Sequence, residues 1–152
     1  MQRITNCVLT NGEHALLLQK PSRGWWVAPG GKMELGETIK ESAEREFREE
    51  TGLQVEDAKL RAVFTIVILE NDQPVNEWMM FTFHATSFKG DMFEQSPEGK
   101  LEWKSIKDVQ GLPMAAGDKY MFEHVLHDQG VMHGTFYYTK DFDLVSYRLT
   151  SE

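Results

Sequence analysis

Glu46, Glu49 and Glu50 stand at spacings i, i+3 and i+4 within GGKMELGETIKESAEREFREETGL, residues 30–53. Carboxylates so spaced on a helix are neighbours and repel one another. On a helical wheel counted from Ile39, Glu46 and Glu50 share the direction of Ile39, beside the apolar positions Ala43 and Phe47, and Glu49 flanks them. Lys40, Glu41, Glu44 and Arg48 fall on the solvated side. Partly desolvated, such a cluster raises its own pKa values or destabilises the fold, and a bound divalent cation resolves the conflict. Ligands that are all oxygen, with no His or Cys among them, point to Mg²⁺ or Mn²⁺ rather than zinc. Arg45 and Arg48 could instead neutralise the group as an ordinary charged helix face.

The helix that must carry these glutamates has clear limits. Thr38 with Glu41 three residues on makes a capping box, and Gly52 is the stop. Before it, ITNCVLT and HALLLQK are apolar-rich runs joined by Asn11-Gly12, a hairpin signal. The Pro- and Gly-punctuated stretch PSRGWWVAPGG then leaves little room for regular structure. KLRAVFTIVILE and NEWMMFTFHATSF read as long strands around NDQP, and GKLEWKSI as a shorter strand. DKYMFEHVLHDQ reads as a helix with Tyr120, Met121, Val125 and Leu126 inward, and GTFYYTKDFDLVSYRL as a hairpin turning near Lys140-Asp141. The class is α+β, with residues 1–152 as one domain.

Composition narrows the partners. The chain has 152 residues and a formal net charge of -8. That charge opposes binding to duplex nucleic acid, and a small phosphorylated ligand needs a cation or a local Lys/Arg cluster to neutralise it. The single Cys7 rules out an internal disulfide. Residues 1–20 have no signal-peptide core and no apolar run reaches membrane-spanning length, so the expectation is a cytoplasmic protein with no membrane partner.

Gly31, Glu37, Arg45-Glu46, Phe47, Glu49-Glu50 and Gly52-Leu53 together match the Nudix box, residues 31–53, with every fixed residue at its spacing. The sequence thus resembles the Nudix hydrolases, departing only at Phe47, where the family usually has an aliphatic residue. The resemblance implies a Nudix α/β/α sandwich, a mixed β-sheet between helices with the box as loop-helix-loop. It also implies metal-dependent hydrolysis of a nucleoside diphosphate linked to a further group. Glu46, Glu49 and Glu50 would ligate the metal, with the choice of general base open. The Gly30 carbonyl would be a further ligand, Gly31 and Gly52 conformational residues, Arg45 the group orienting the carboxylates, and Glu37 a buttress of the loop. A late acid is usual in the family. Glu94, Glu98 and Glu102 are the candidates, with Glu98 favoured by its place before Trp103. Lys20 sits where MutT-type members carry a phosphate-contacting cation, and Arg23 is the alternative. Trp25 and Trp26 stand where an aromatic can stack on a base, Trp26 being the chosen substrate contact, or can pack in the core.

LEWKSIKDVQGLPMAAGDKYMF resembles the segment of MutT-type purine nucleoside triphosphate diphosphatases that carries an acid after Leu-Pro, and Asp118 takes that place. Its carboxylate would accept hydrogen bonds from the guanine edge, or else cap the helix beginning near Lys119. The implied substrate is 8-oxo-dGTP or another purine nucleoside triphosphate, with release of pyrophosphate. The alternatives are the guanosine alarmones ppGpp and pppGpp and, in a different class, a non-catalytic nucleotide-binding module. The box glutamates are all present, which weighs against the last. Monomer and homodimer both stay open, since the hairpin with Phe136, Tyr137 and Tyr138 could cover the core or pair with another chain.

Overall fold

Alternating apolar residues place a sheet at the centre of the molecule, and a helix packs on each face. The computed structural model describes residues 1–152. Strand β1 (Gln2–Asn11) turns through Gly12 into β2 (His14–Gln19). Short strands β3 (Trp26–Val27) and β4 (Gly30–Lys32) follow, then helix α1 (Ile39–Thr51). Strand β5 (Gln54–Glu56) pairs with β8 (Ser87–Lys89) as a small separate sheet. Between them run the long hairpin strands β6 (Lys59–Glu70) and β7 (Gln73–Ala85). Strand β9 (Lys100–Ser105), a 3₁₀ turn (Ile106–Gly111), helix α2 (Ala116–His127) and the hairpin β10 (Met132–Thr139) and β11 (Leu144–Ser151) complete the chain.

The main sheet has nine strands in the order β11-β10-β6-β7-β1-β2-β3, with β4 also on β1 and β9 on β2. It is mixed, because β1 runs parallel to β7 and β10 parallel to β6. Alternation along β1 divides the core: Cys7 and Leu9 meet Ala43 and Phe47 of α1, while Val8 meets Met121 and Phe122 of α2. Phe47 and Phe122 are completely buried, each worth about 1.5–3 kcal/mol of transfer free energy. This is the sheet between helices that the resemblance implied. Neither helix is long and apolar enough to cross a membrane.

Two elements differ from expectation. The loop before the box contains β3 and β4, because the edge of β1 beyond β2 is free to pair Thr5 and Asn6 with Gly31 and Gly30. Strands of two and three residues are too short to show a period. Helix α2 starts at Ala116, ahead of Asp118, and Ala115 offers no side-chain cap. The Gly117 N–H donates instead to Tyr138 Oη at 2.8 Å, a partner from β10 that no local signal announces. Met121, Phe122, His124 and Val125 face inward, whereas Tyr120 and Leu126 are only half-buried.

Candidate active site

The sequence caps α1 at both ends, which fixes the directions of its glutamates. Thr38 Oγ1 accepts from the Glu41 N–H at 3.0 Å, and Glu41 Oε1 accepts from the Thr38 N–H at 2.8 Å. Gly52 closes the helix at φ +83° with its N–H on Arg48 O. On this frame Glu50 is 6% exposed, and the side chains of Glu46 and Glu49 are 16% and 54% exposed. Glu46 and Glu50 point inward as the wheel indicates, and Glu49 reaches solvent.

Arg45 organises the outer part of the cluster. Its guanidinium donates to Glu37 Oε2 at 2.6 Å and Oε1 at 3.0 Å, to Glu46 Oε1 at 2.8 Å, to Glu49 Oε2 at 3.0 Å and to the Lys32 carbonyl at 3.0 Å. The bond from Arg45 and the Glu34 N–H hold the Glu37 carboxyl down at about 2. Glu46 and Glu49 therefore share one cation, while Arg48 is exposed to solvent. Glu50 has no ion pair within the cluster. Its Oε1 accepts only from the Gly30 N–H at 3.3 Å. Burial pushes its carboxyl up to about 7 against the pull of the Lys20 charge and this bond, with Glu46 and Glu98 adding to the rise.

Glu46, Glu49 and Glu50 each thus spend one oxygen on the protein and leave the other without a protein hydrogen bond. These oxygens are not closed around a common point, and no group of three acidic, His or Cys side chains is already gathered as a metal cage. The donor set is nevertheless all carboxylate, the chemistry a hard divalent cation requires. Gly31 serves this arrangement through space rather than through backbone conformation. A Cβ there would collide with the Glu46 carboxylate, and one on Gly30 would collide with Thr5 O. Gly52, in contrast, does need its left-handed backbone.

Lys20, just after β2, places Nζ 3.8 Å from Glu98 Oε2. The two line an open polar groove of about 770 Å³ with Gln19, Ser22, Gln95 and Lys100, without a hydrophobic side chain. Of the other late acids, Glu102 sits on β9 between Lys100 and Lys104, at 3.3 and 3.4 Å, and Glu94 is exposed on the preceding loop.

Two expected substrate contacts stand elsewhere. Trp26 is 5% exposed and packs in the α2-side core, with Lys104 Nζ 4.1 Å from its ring centroid. Its pairing with Gln19 turns it inward, and the half-buried tryptophan is Trp25. Arg23 lies over the rings of Trp25 and Phe142 at 4.8 and 5.5 Å and donates to Asp141 O, so its charge is engaged by the last hairpin.

Asp118 is half-buried in the first turn of α2. Its N–H donates to Ala115 O at 3.0 Å, but its carboxyl has no protein partner. Burial pushes that carboxyl up to about 7. Neighbouring Tyr138 is raised to about 12 by burial and by the Asp118 charge. One polar residue escaped sequence reasoning: Asn6, opposite Gly30, is 7% exposed with Oδ1 unpartnered and Nδ2 3.7 Å from Met80 Sδ. A lone amide within the apolar run ITNCVLT was its only signal.

The model of the NUDIX domain matches residues 1–125. The chain is 54% identical over 149 residues to the uncharacterized Nudix hydrolase YvcI of Bacillus subtilis (strain 168), covering 98% of this chain and 94% of that protein. The crystal structure of the mutator MutT protein from Bacillus halodurans matches with a TM-score of 0.96 and 57% identity, covering 98% of this chain and 97% of that one. A more distant relative, the human 8-oxo-dGDP phosphatase NUDT18, is 35% identical over 97 residues, which are 62% of this chain and 27% of that protein.

Proposed function

The chain belongs to the NUDIX domain family and is a Nudix hydrolase, and on that premise we propose that it hydrolyses a purine nucleoside triphosphate, 8-oxo-dGTP foremost, releasing pyrophosphate. Nudix hydrolases act on nucleoside diphosphate-linked groups and generally use divalent metal ions. The ion here is Mg²⁺, with Mn²⁺ able to replace it, held by the free oxygens of Glu46, Glu49 and Glu50, the Gly30 carbonyl and Glu98. When bound, it supplies charge neutralisation on the phosphates and an activated water. Arg45 is a positioning residue that fixes Glu46 and Glu49. Lys20 meets the terminal phosphate beside the polar groove, and residues 1–152 work as one catalytic domain.

The observation that carries the choice of base is the Asp118 carboxyl, held near Tyr138 with no protein partner. A desolvated carboxylate gains most from two adjacent donors, which the N1–H and N2–H₂ edge of guanine or 8-oxoguanine offers. A helix cap is the less suitable role, since Ala115 occupies the capping position. The name of the human relative, an 8-oxo-dGDP phosphatase, points to the same base. The same edge also admits ppGpp and pppGpp, and the groove beside Lys20 and Lys100 can take their additional phosphates.

Kinetics on 8-oxo-dGTP, GTP, ppGpp and CTP test the proposal. Asp118→Ala should lower kcat/KM about ten- to a hundredfold on the guanine substrates and leave CTP nearly unchanged. Asp118→Asn should recover little, because its amide sets a donor against a donor. A uniform fall on all four substrates that tracks melting temperature would remove Asp118 from base recognition and leave the hydrolase standing.

A further inference from the structure

The two ends of the main sheet are finished differently. At one end the outer strands are β3, of two residues, and β9, where Lys100, Glu102 and Lys104 put a charge at every second position. Short strands and charges of this kind keep an edge from pairing with another chain. At the other end β11 runs for eight residues, LVSYRLTS, with β10 as its only neighbour. It holds no proline and a single charge, Arg148. Its one irregularity is the register shift that sets Tyr138 against Leu144. Val145 and Tyr147 are 53% and 44% exposed.

The ladder fixes which main-chain groups are open. The Glu152 N–H donates to Val131 O at 3.1 Å, and the register continues unbroken from Met132 opposite Ser151 to Tyr137 opposite Ser146. Bonded and non-bonded pairs alternate along an antiparallel ladder, so Thr150, Arg148 and Ser146 turn their N–H and C=O groups toward β10. Those of Ser151, Leu149 and Tyr147 face outward, where this chain supplies no strand. The side chains divide by face. Tyr147 stacks over Phe136 at 6.0 Å and its hydroxyl accepts from Tyr120 Oη at 2.9 Å on the α2 side. Ser146 and Arg148 stand exposed on the opposite face.

We propose that β11 is the interface of a homodimer, pairing antiparallel with β11 of a second copy so that two nine-stranded sheets become one. A second copy is the partner this edge fits. A two-fold axis perpendicular to the sheet brings each outward N–H to a carbonyl of the identical strand. The chain has a net charge of -8, yet no acid falls between Leu144 and Ser151, so two copies meet here without opposing carboxylates. Symmetry and alternation leave two registers of longest overlap, centred on Tyr147 and on Arg148. The second sets Arg148 against Arg148 of the partner subunit, and like charges directly opposite destabilise a pair. The first sets Arg148 against Ser146 of the partner subunit, and it is the register assigned.

Sedimentation of the purified full chain over a range of concentrations should show a monomer–dimer equilibrium. Ser146→Arg places a cation opposite Arg148 of the partner subunit, twice in the symmetric interface, and should weaken the dimer about two- to thirtyfold. Ser146→Glu should tighten it by about the same factor. Both effects should shrink at high salt, with kcat/KM unchanged. Tyr147→Cys should oxidise to a covalent dimer, since opposed Cα atoms of a bonded pair lie about 5.5 Å apart, within disulfide reach. Native Cys7 is completely buried, and Val75→Cys, at an exposed position of β7, should stay monomeric. A chain that sediments as a monomer at every concentration would overturn the proposal. So would a dimer indifferent to both Ser146 variants, or cross-linking no faster in Tyr147→Cys than in Val75→Cys.

Discussion

The carboxylate cluster on α1 and the head of α2 lie on opposite faces of the sheet and are built in opposite ways. Around α1, the partners are close in sequence: Arg45 bonds Glu37, Glu46 and Glu49, and Gly30 bonds Glu50. Around the head of α2, Trp25, Trp78, Tyr138 and Phe142 come from four distant stretches, and Asp118 and Asn6 are left with unpaired oxygens. A buried polar group without a partner costs about 1–3 kcal/mol, so such oxygens are where a ligand gains most. The carboxylate cluster is held rigid by its own charges, while the head of α2 keeps open valences among apolar rings.

The largest effect should come from the α1 side. Glu46→Gln or Glu50→Gln should leave a folded protein whose rate falls on the order of 10²- to 10⁴-fold, and excess chelator should do the same to the wild type. Full activity in any of these would break the contrast. Next, Gly31→Ala inserts a Cβ against the Glu46 carboxylate. Because small misplacements of reacting groups are expensive, kcat should drop about ten- to a hundredfold with the melting temperature nearly level. A fall in stability with normal kcat would mean that the glycine serves the loop alone.

Smaller tests sharpen the other side. Lys20→Ala should raise KM for a triphosphate about three- to tenfold, moderated by the solvent exposure of this lysine, and raise it less for a diphosphate. Equal effects on both would place the lysine elsewhere. Last, the Asp118 carboxyl is raised from its ordinary 3.8 to about 7, so the folded chain keeps a proton that the unfolded chain loses. Wild-type stability should therefore fall relative to Asp118→Asn as pH rises from about 4 through 7, and the two should converge below that window. Melting temperatures of the pair at pH 4 and 8 check this, and a constant gap would contradict a desolvated carboxyl.

The same contrast explains what could be read beforehand. Thr38, Glu41, Arg45 and Gly52 announce α1 and its glutamates because each signal acts within a few positions. Asn11-Gly12 announces the first hairpin for the same reason. The start of α2 was hidden because its amide is satisfied by Tyr138 from another strand. Trp25 and Trp26 could not be told apart until the pairing of β2 with β3 turned one inward. Phe142 gave no signal at all, since its backbone conformation follows from a turn whose usual residue it lacks.

The parallel pairings of β1 with β7 and of β6 with β10 also impose an order on assembly. Helix α1 and the β6–β7 hairpin need only local contacts, which form quickly, whereas each parallel pair must first close a long loop of chain. The ring of Phe142 arrives only when β10 docks on β6. Until then Trp25 and Trp78 stand uncovered, so the carboxylate cluster on α1 can form before the ring cluster beside Asp118 is complete.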